Sequence, residues 1–193
     1  RTALALFAQY NYNQVTVEDI TRCAGFSKGT FYAYFPSKES VLLEQFRMID
    51  EHYEEVFKSV PESAGASERV MTLMNAMCDY CANIVGMAPL QIIYANQVTS
   101  PDTIHILNND ERTVYRIMQD CVERGKAGGE FPHKIETAEL AEFFMRSARG
   151  LIYDWCMNAG SFDLQEEGAK YFSRILHLLN LEAAEERQGG RIS

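Results

Sequence analysis

Apolar positions recur along almost the whole chain at steps of three and four residues, and no stretch alternates convincingly at period two. This pattern predicts helices throughout. Ala3, Leu4, Leu6, Phe7 and Tyr10 form an apolar stripe on a first helix. Thr16 opens a second helix that runs to Ala24, with Asp19 where a capping box places an acid and Ile20 and Ala24 on its apolar edge. Gly25 stands at its end, the position that favours a positive φ, and Phe26 follows as a buried hinge residue. Ser27 caps a third, short helix that Pro36 stops, with Phe31 and Phe35 on one face. A long fourth helix spans about 37–60, with Val41, Leu42, Phe46, Ile49, Tyr53, Val56 and Phe57 inward.

Breaks at 61–65 and 86–89 bound a fifth helix over about 67–85, and a short one follows near 90–97. Ser100-Pro101-Asp102 starts another, which ends at 125–129. Thr137 begins the next, reaching about Gly160, and Asp163 caps the last, which reaches about Leu181 before a polar tail expected to fray. In these last two helices Leu140, Phe143, Phe144, Ser147, Ala148, Leu151, Ile152, Trp155, Cys156 and Ala159 make one ladder. Leu164, Tyr171, Phe172, Ile175, Leu176, Leu178 and Leu179 cover more than one face. One stripe suffices to pack a helix on its own domain, so the surplus predicts a second covered face, against the alternative that both faces are buried inside the monomer. The expected fold is all-α, about nine helices in two parts. Residues 1–45 form a three-helix head and residues 46–193 a helical body.

A helix, a glycine-containing turn and a short second helix form the helix-turn-helix layout, whose second helix enters the DNA major groove. A helix as short as Ser27–Phe35 cannot stand alone, so its neighbours hold it and its outer face meets something. Lysine, threonine and two tyrosines there suit a phosphate-lined groove. Lys38, at the start of the long helix, is placed to hold a phosphate with a backbone N–H.

The run from Phe7 to Leu42 closely resembles the DNA-binding domain of tetracycline-repressor (TetR) family regulators. The matching pieces are Ala8-Gln9-Tyr10, Thr16-Val17-Glu18-Asp19-Ile20, Ala24 through Tyr32, and Tyr34-Phe35-Pro36-Ser37-Lys38-Glu39. Asn11-Tyr12-Asn13 departs from the family's usual glycine-containing turn, and asparagine tolerates the left-handed region. Beyond residue 45 the likeness is architectural, with Arg149 through Trp155 similar to a late core helix of many members. The resemblance implies that Lys28, Gly29 and Thr30 lie nearest base edges. It implies that Thr16, Ser27, Tyr32, Tyr34 and Lys38 contact phosphate. It further implies a homodimer formed through a four-helix bundle, with Ser147, Ala148, Leu151, Phe172, Ile175 and Leu179 at the interface. A ligand-responsive regulator, most often a repressor, is the implied function: it binds a palindromic operator as a dimer and is released by a small-molecule inducer.

Net charge is −9, yet residues 1–38 carry four basic against two acidic side chains, +2, which leaves −11 on the remainder. A slightly basic head on an acidic body fits contact with DNA through one end; the acidic surface serves equally as a solubility device. No run approaches a membrane span and no signal peptide is visible, so a cytoplasmic location is expected. Pockets in helical bundles lie between helices and are mostly apolar. The candidates for an inducer site are Met71, Met74, Met77, Cys78, Cys81, Tyr94, Tyr115, Met118, Cys121, Phe144 and Trp155, against the alternative that these are ordinary core. Cys78-x-x-Cys81 lacks a second such pair and the four histidines are scattered, so neither metal nor cofactor is expected; a thiol sensor stays open as an alternative. No phosphate-binding glycine loop or nucleophile elbow speaks for an enzyme, and a helical protein-binding adaptor is the remaining alternative.

Overall fold

The computed structural model describes residues 2–10, 12, 14–99 and 110–189. The described residues are helical and without strands: α1 (Thr2–Tyr10), α2 (Val17–Ala24), α3 (Lys28–Tyr34), α4 (Glu39–Lys58), α5 (Ala66–Asp79), α6 (Met87–Thr99), α7 (Thr113–Gly128), α8 (Thr137–Met157) and α9 (Leu164–Gly189). The start expected at Ser100-Pro101-Asp102 lies outside the described residues. Two expectations are corrected. The stretch taken as one helix to Val85 changes at Tyr80 into a π-helical segment, Tyr80–Val85, which ends on Gly86 at φ 81°. The tail expected to fray continues α9 to Gly189, tied by Lys134 to Glu182 and by His133 N–H to Glu186.

Helix α5 is the axis of the body, in contact with α4, α7, α8 and α9. Its Val70, Leu73, Met74 and Cys78 are fully buried. α9 approaches it closely because position 168 is glycine: a Cβ there would sit 2.7 Å from the Cys78 sulfur. Position 125 is equally constrained, since a Cβ would stand 2.1 Å from the ring of Phe131, itself fully buried.

Polar side chains fix the ends of these helices. Arg69, buried, donates to the carbonyls of Pro61 (2.8 Å) and Ala64 (3.3 Å) and so closes the α4–α5 turn. α5 lacks a capping side chain of its own, and Glu130 supplies one from the α7–α8 connection, accepting from Ala66 N–H at 2.7 Å and Ser67 N–H at 2.9 Å. Burial pushes the Glu130 pKa up, but the two amide hydrogen bonds outweigh it and hold the pKa below its ordinary value. Arg112 spans from the start of α7 to α4, binding Asp50 through two hydrogen bonds of 2.6 and 3.1 Å with both side chains largely buried. The head meets the body through α1 against α6 and through the continuity of α4.

Glu130→Gln is expected to lower stability by about 1 kcal/mol, the usual worth of an N-terminal cap. A depressed native pKa contributes stability that is present above the unfolded carboxylate's pKa and is lost as pH falls through the native one. The wild-type advantage over the variant, measured by urea unfolding, is therefore largest near neutrality and shrinks below pH about 4.3. Gly125→Ala, checked by thermal melting, is expected to cost more, at least about 1–3 kcal/mol from overpacking against Phe131.

Candidate nucleic-acid interface

The head is built from caps outward. The Thr16 hydroxyl accepts from Asp19 N–H (3.1 Å) while the Asp19 carboxylate accepts from Thr16 N–H (3.0 Å), a complete capping box on α2. Hydrogen bonds to the carboxylate from the Thr16 hydroxyl (2.6 Å) and the Thr16 backbone N–H, aided by Arg22, hold the Asp19 carboxyl below its ordinary pKa. α2 ends on Gly25 at φ 77°, where Gly25 and Phe26 N–H groups both return to Thr21 C=O. Only glycine takes that conformation without strain, which makes the turn tight and aims α3. Ser27 caps α3, accepting from Thr30 N–H at 3.1 Å, and its hydroxyl lies 3.0 Å from the Thr30 hydroxyl.

Phe31 is the inward anchor of α3, 1% exposed, packed against Phe35 at 5.5 Å between ring centroids. Around it Lys28, Gly29, Thr30, Tyr32 and Tyr34 all face outward, Tyr34 being 78% exposed. Lys28 pairs with Glu18 on α2, so a phosphate or base edge competes with that carboxylate for its ammonium. Thr16 and Ser27 are exposed as well, beside the N-termini of α2 and α3. The structure thus places seven of the eight expected DNA-contact residues on the outer side of the head.

Lys38 is the correction. Its ammonium points inward, donating to Tyr12 C=O (2.8 Å) and Val15 C=O (3.0 Å) and lying 4.1 Å from the centre of the Tyr12 ring. Two carbonyls and a ring face outcompete water for a half-buried ammonium, so Lys38 locks the α1–α2 connection to the start of α4 instead of reaching a phosphate. Phe26, expected to be buried, is 41% exposed, because the Gly25 turn swings it outside the Phe31 core. Arg22 was missed: it stands exposed on the last turn of α2, held by Asp19 at 2.6 Å, a further cation on the same head. Its position on the polar face of α2 was the available signal.

The signature of bacterial regulatory proteins of the tetR family matches residues 1–44. Residues 1–44 form a TetR-family DNA-binding domain. An uncharacterised helix-turn-helix regulator of Bacillus subtilis, YuxN, is 46% identical over 59 residues, which is 31% of this chain and 19% of that protein. The transcriptional repressor KstR2 of Rhodococcus jostii is 27% identical over 186 residues, covering 90% of this chain and 85% of the relative. Among solved structures, the regulator FadR from Bacillus subtilis in complex with stearoyl-CoA shares the fold, with a TM-score of 0.73 at 22% identity over 94% of this chain and 95% of the other. The chain is therefore a DNA-binding transcriptional regulator, and its relatives are regulators too. Among the described residues no single helix is long and apolar enough to cross a membrane.

The body of the regulator sorts its expected interface residues differently. On α8 the buried phase is Leu140, Phe144, Ala148 and Ile152, and the outer phase is Phe143, Ser147, Gly150 and Asp154. On α9 Phe172, Leu176 and Leu179 are buried, while Tyr171 and Leu178 are 41% and 64% exposed. Ala148, Phe172 and Leu179 consequently pack inside the subunit, a correction to their expected place at an interface. Ser147, Leu151 and Ile175 are half-buried at the edge of the outer face. Phe143, Gly150, Tyr171 and Leu178 complete that face; their offset from the buried phase was visible in the helical periodicity. Ala159 was expected in the ladder, but α8 ends at Met157 and Ala159 turns outward at φ 52°. A shallow hollow of about 440 Å³ lies on the outer face of α8 and α9, lined by Phe143, Ser147, Gly150, Leu151 and Tyr171 among others.

The inducer candidates Met74, Met77, Cys78, Cys81, Tyr115, Met118, Cys121, Phe144 and Trp155 are buried together in the body; Met71 and Tyr94 are half-buried beside them. Burial pushes the Cys78 thiol up to about 12 and the Cys81 thiol higher still, so neither is a thiolate near neutral pH, which removes the support for a thiol sensor at this pair.

Lys38→Met is expected to destabilise the head by about 1.5–3 kcal/mol, the worth of hydrogen bonds to a charged group. Because its ammonium neutralises no phosphate, the salt dependence of DNA binding measured below the melting range stays unchanged. Loss of a phosphate contact would instead shift the slope by about 0.9.

Proposed function

We propose that this regulator is a homodimeric repressor that binds a palindromic operator through two α3 helices and lets go when a small molecule enters the body. The observation that carries the reading is the outward Lys28-Gly29-Thr30 tip on a helix whose own anchor, Phe31, is buried. Lys28 offers an ammonium to guanine O6/N7, Gly29 allows the backbone close to the groove floor, and Thr30 reaches a methyl or a phosphate. Thr16, Ser27, Tyr32 and Tyr34 position the head on phosphates. The exposed face of Phe143, Gly150, Tyr171 and Leu178 supports a second copy: it spans two helices, so a twofold pairing makes four.

Release requires that the ligand bind the non-DNA state more tightly, and by reciprocity operator DNA weakens ligand binding by the same factor. The buried Arg112–Asp50 pair supports a route, since it fastens α4, which continues from the head, to α7 in the body. For the ligand class, the likeness to a stearoyl-CoA complex and to a Bacillus subtilis fatty acid metabolism regulator favours a long-chain acyl compound.

Selection from a random duplex library with the full chain is expected to recover a twofold-symmetric site, and Lys28→Ala to cost about 1–3 kcal/mol with relaxed preference at one base pair per half-site. Recovery of no common sequence would contradict the proposal. Leu178→Glu is expected to yield a folded monomer in sedimentation, with operator affinity lost along with the dimer.

A further inference from the structure

Arg149 lies where α6, α7 and α8 converge. It is 16% exposed, midway along α8, and donates to the hydroxyl of Tyr115, a buried residue on the first turn of α7. Its other terminal nitrogen donates to Glu142 Oε1 at 3.0 Å. From α6, the Tyr94 hydroxyl donates to the Arg149 carbonyl at 3.0 Å, and the Tyr94 ring packs edge-on against exposed Tyr153 at 5.4 Å. The guanidinium thus stands at a boundary, between buried Tyr115 of α7 and the partly exposed rings of Tyr94 and Tyr153.

Burying an ion pair is costly, and apolar residues of the same volume commonly stabilise a core as well or better. A guanidinium kept in this place calls for another reason. Its planar fork matches carboxylate and phosphate oxygens, which an ammonium matches less well. Glu142 supplies the second clue. The same Oε1 that accepts from Arg149 also accepts from Arg146 Nε at 2.7 Å, and Arg146 is 73% exposed. An incoming anion can therefore replace Glu142 at Arg149 without leaving the displaced carboxylate unpaired, so the exchange avoids the cost of an orphaned buried charge.

We infer that Arg149, with the Tyr115 hydroxyl beside it, receives the anionic head of the regulatory ligand, an amphiphile whose apolar tail enters the core between α7 and α8. This rests on the ligand-responsive reading above and adds the binding residue and the charge of the ligand. The same guanidinium serves a free carboxylate or the phosphates of a coenzyme A thioester, and Glu142 acts as the gate that either one displaces.

The chain has one tryptophan, Trp155, buried in the body on the same helix as Arg149, and its fluorescence serves as the readout of binding. Full-length protein is titrated with laurate, lauroyl-CoA and dodecanol, which share a tail and differ in the head. Wild type is expected to bind at least one of the two anions, and which one it binds identifies the head. Arg149→Met is expected to weaken that binding by about tenfold or more, the usual effect of removing a charge-assisted hydrogen bond, while dodecanol binding stays within about twofold. Arg149→Lys should recover part of the loss. Glu142→Gln, which leaves Arg149 in place and weakens its competitor, should tighten anion binding several-fold; it also carries the test if Arg149→Met does not fold. Anion binding that is unchanged in Arg149→Met and in Glu142→Gln would overturn the assignment while leaving the ligand-responsive reading intact. Binding of dodecanol alone would overturn the anionic class. Binding of none of the three would overturn both the inference and the acyl-ligand reading beneath it.

Discussion

A seven-residue helix cannot hold its own shape in water, and this regulator presents the residues proposed to read DNA on one. Everything around α3 answers that constraint. Ser27 satisfies its first turn, Gly25 fixes its angle to α2, and Phe31 pins its inner side. Lys38 ties the chain just beyond α3 back to the α1–α2 connection through two carbonyls and the Tyr12 ring. What remains outside is polar, aromatic and cationic, on a backbone with little freedom left to lose on binding. Preorganisation of this kind leaves more of the contact energy available for affinity.

The body applies the same logic on a larger scale. α5 and α9 approach closely through Gly168, and Arg69 and Glu130 close the two ends of the turn that separates α4 from α5. Besides Arg69, two further guanidinium groups among the described residues lie largely inside, Arg112 against Asp50 and Arg149 against Tyr115 and Glu142. Neither is needed to fill space. One joins the helix that carries the head to the body, and the other faces the core from its rim. A protein that must switch between two packings benefits from buried contacts that can change partners, because a close-packed apolar core alone offers no such alternative.

Most of the head was legible in the sequence because its signals are local. The Thr16 box, the Gly25 stop and the Ser27 cap each require a particular residue type within three or four positions, and the structure has all three. Lys38 and Phe26 were misplaced for the opposite reason. Whether a lysine turns toward solvent or toward carbonyls 23 and 26 residues away is a tertiary fact, and no pattern around Lys38 encodes it. On α8 and α9 part of the apolar surplus lies on an outer face, where Phe143, Tyr171 and Leu178 are exposed. Assigning Ala148, Phe172 and Leu179 to it failed because the buried and outer phases interleave at single-residue offsets. The π-helical segment at Tyr80–Val85 has the same apolar content as a continued α-helix, so the pattern marked the break at Gly86, where the chain bends by 104°, but not the change at Tyr80.

The most direct measurement of the central claim is a hydroxyl-radical footprint of the full-length regulator on a duplex it selects. If two clamped α3 helices sit in successive major grooves, protection falls on one face of the duplex, in two patches about 34–36 Å apart or a multiple of that spacing. Protection of one groove alone, or none above that given by unrelated DNA, would contradict the account.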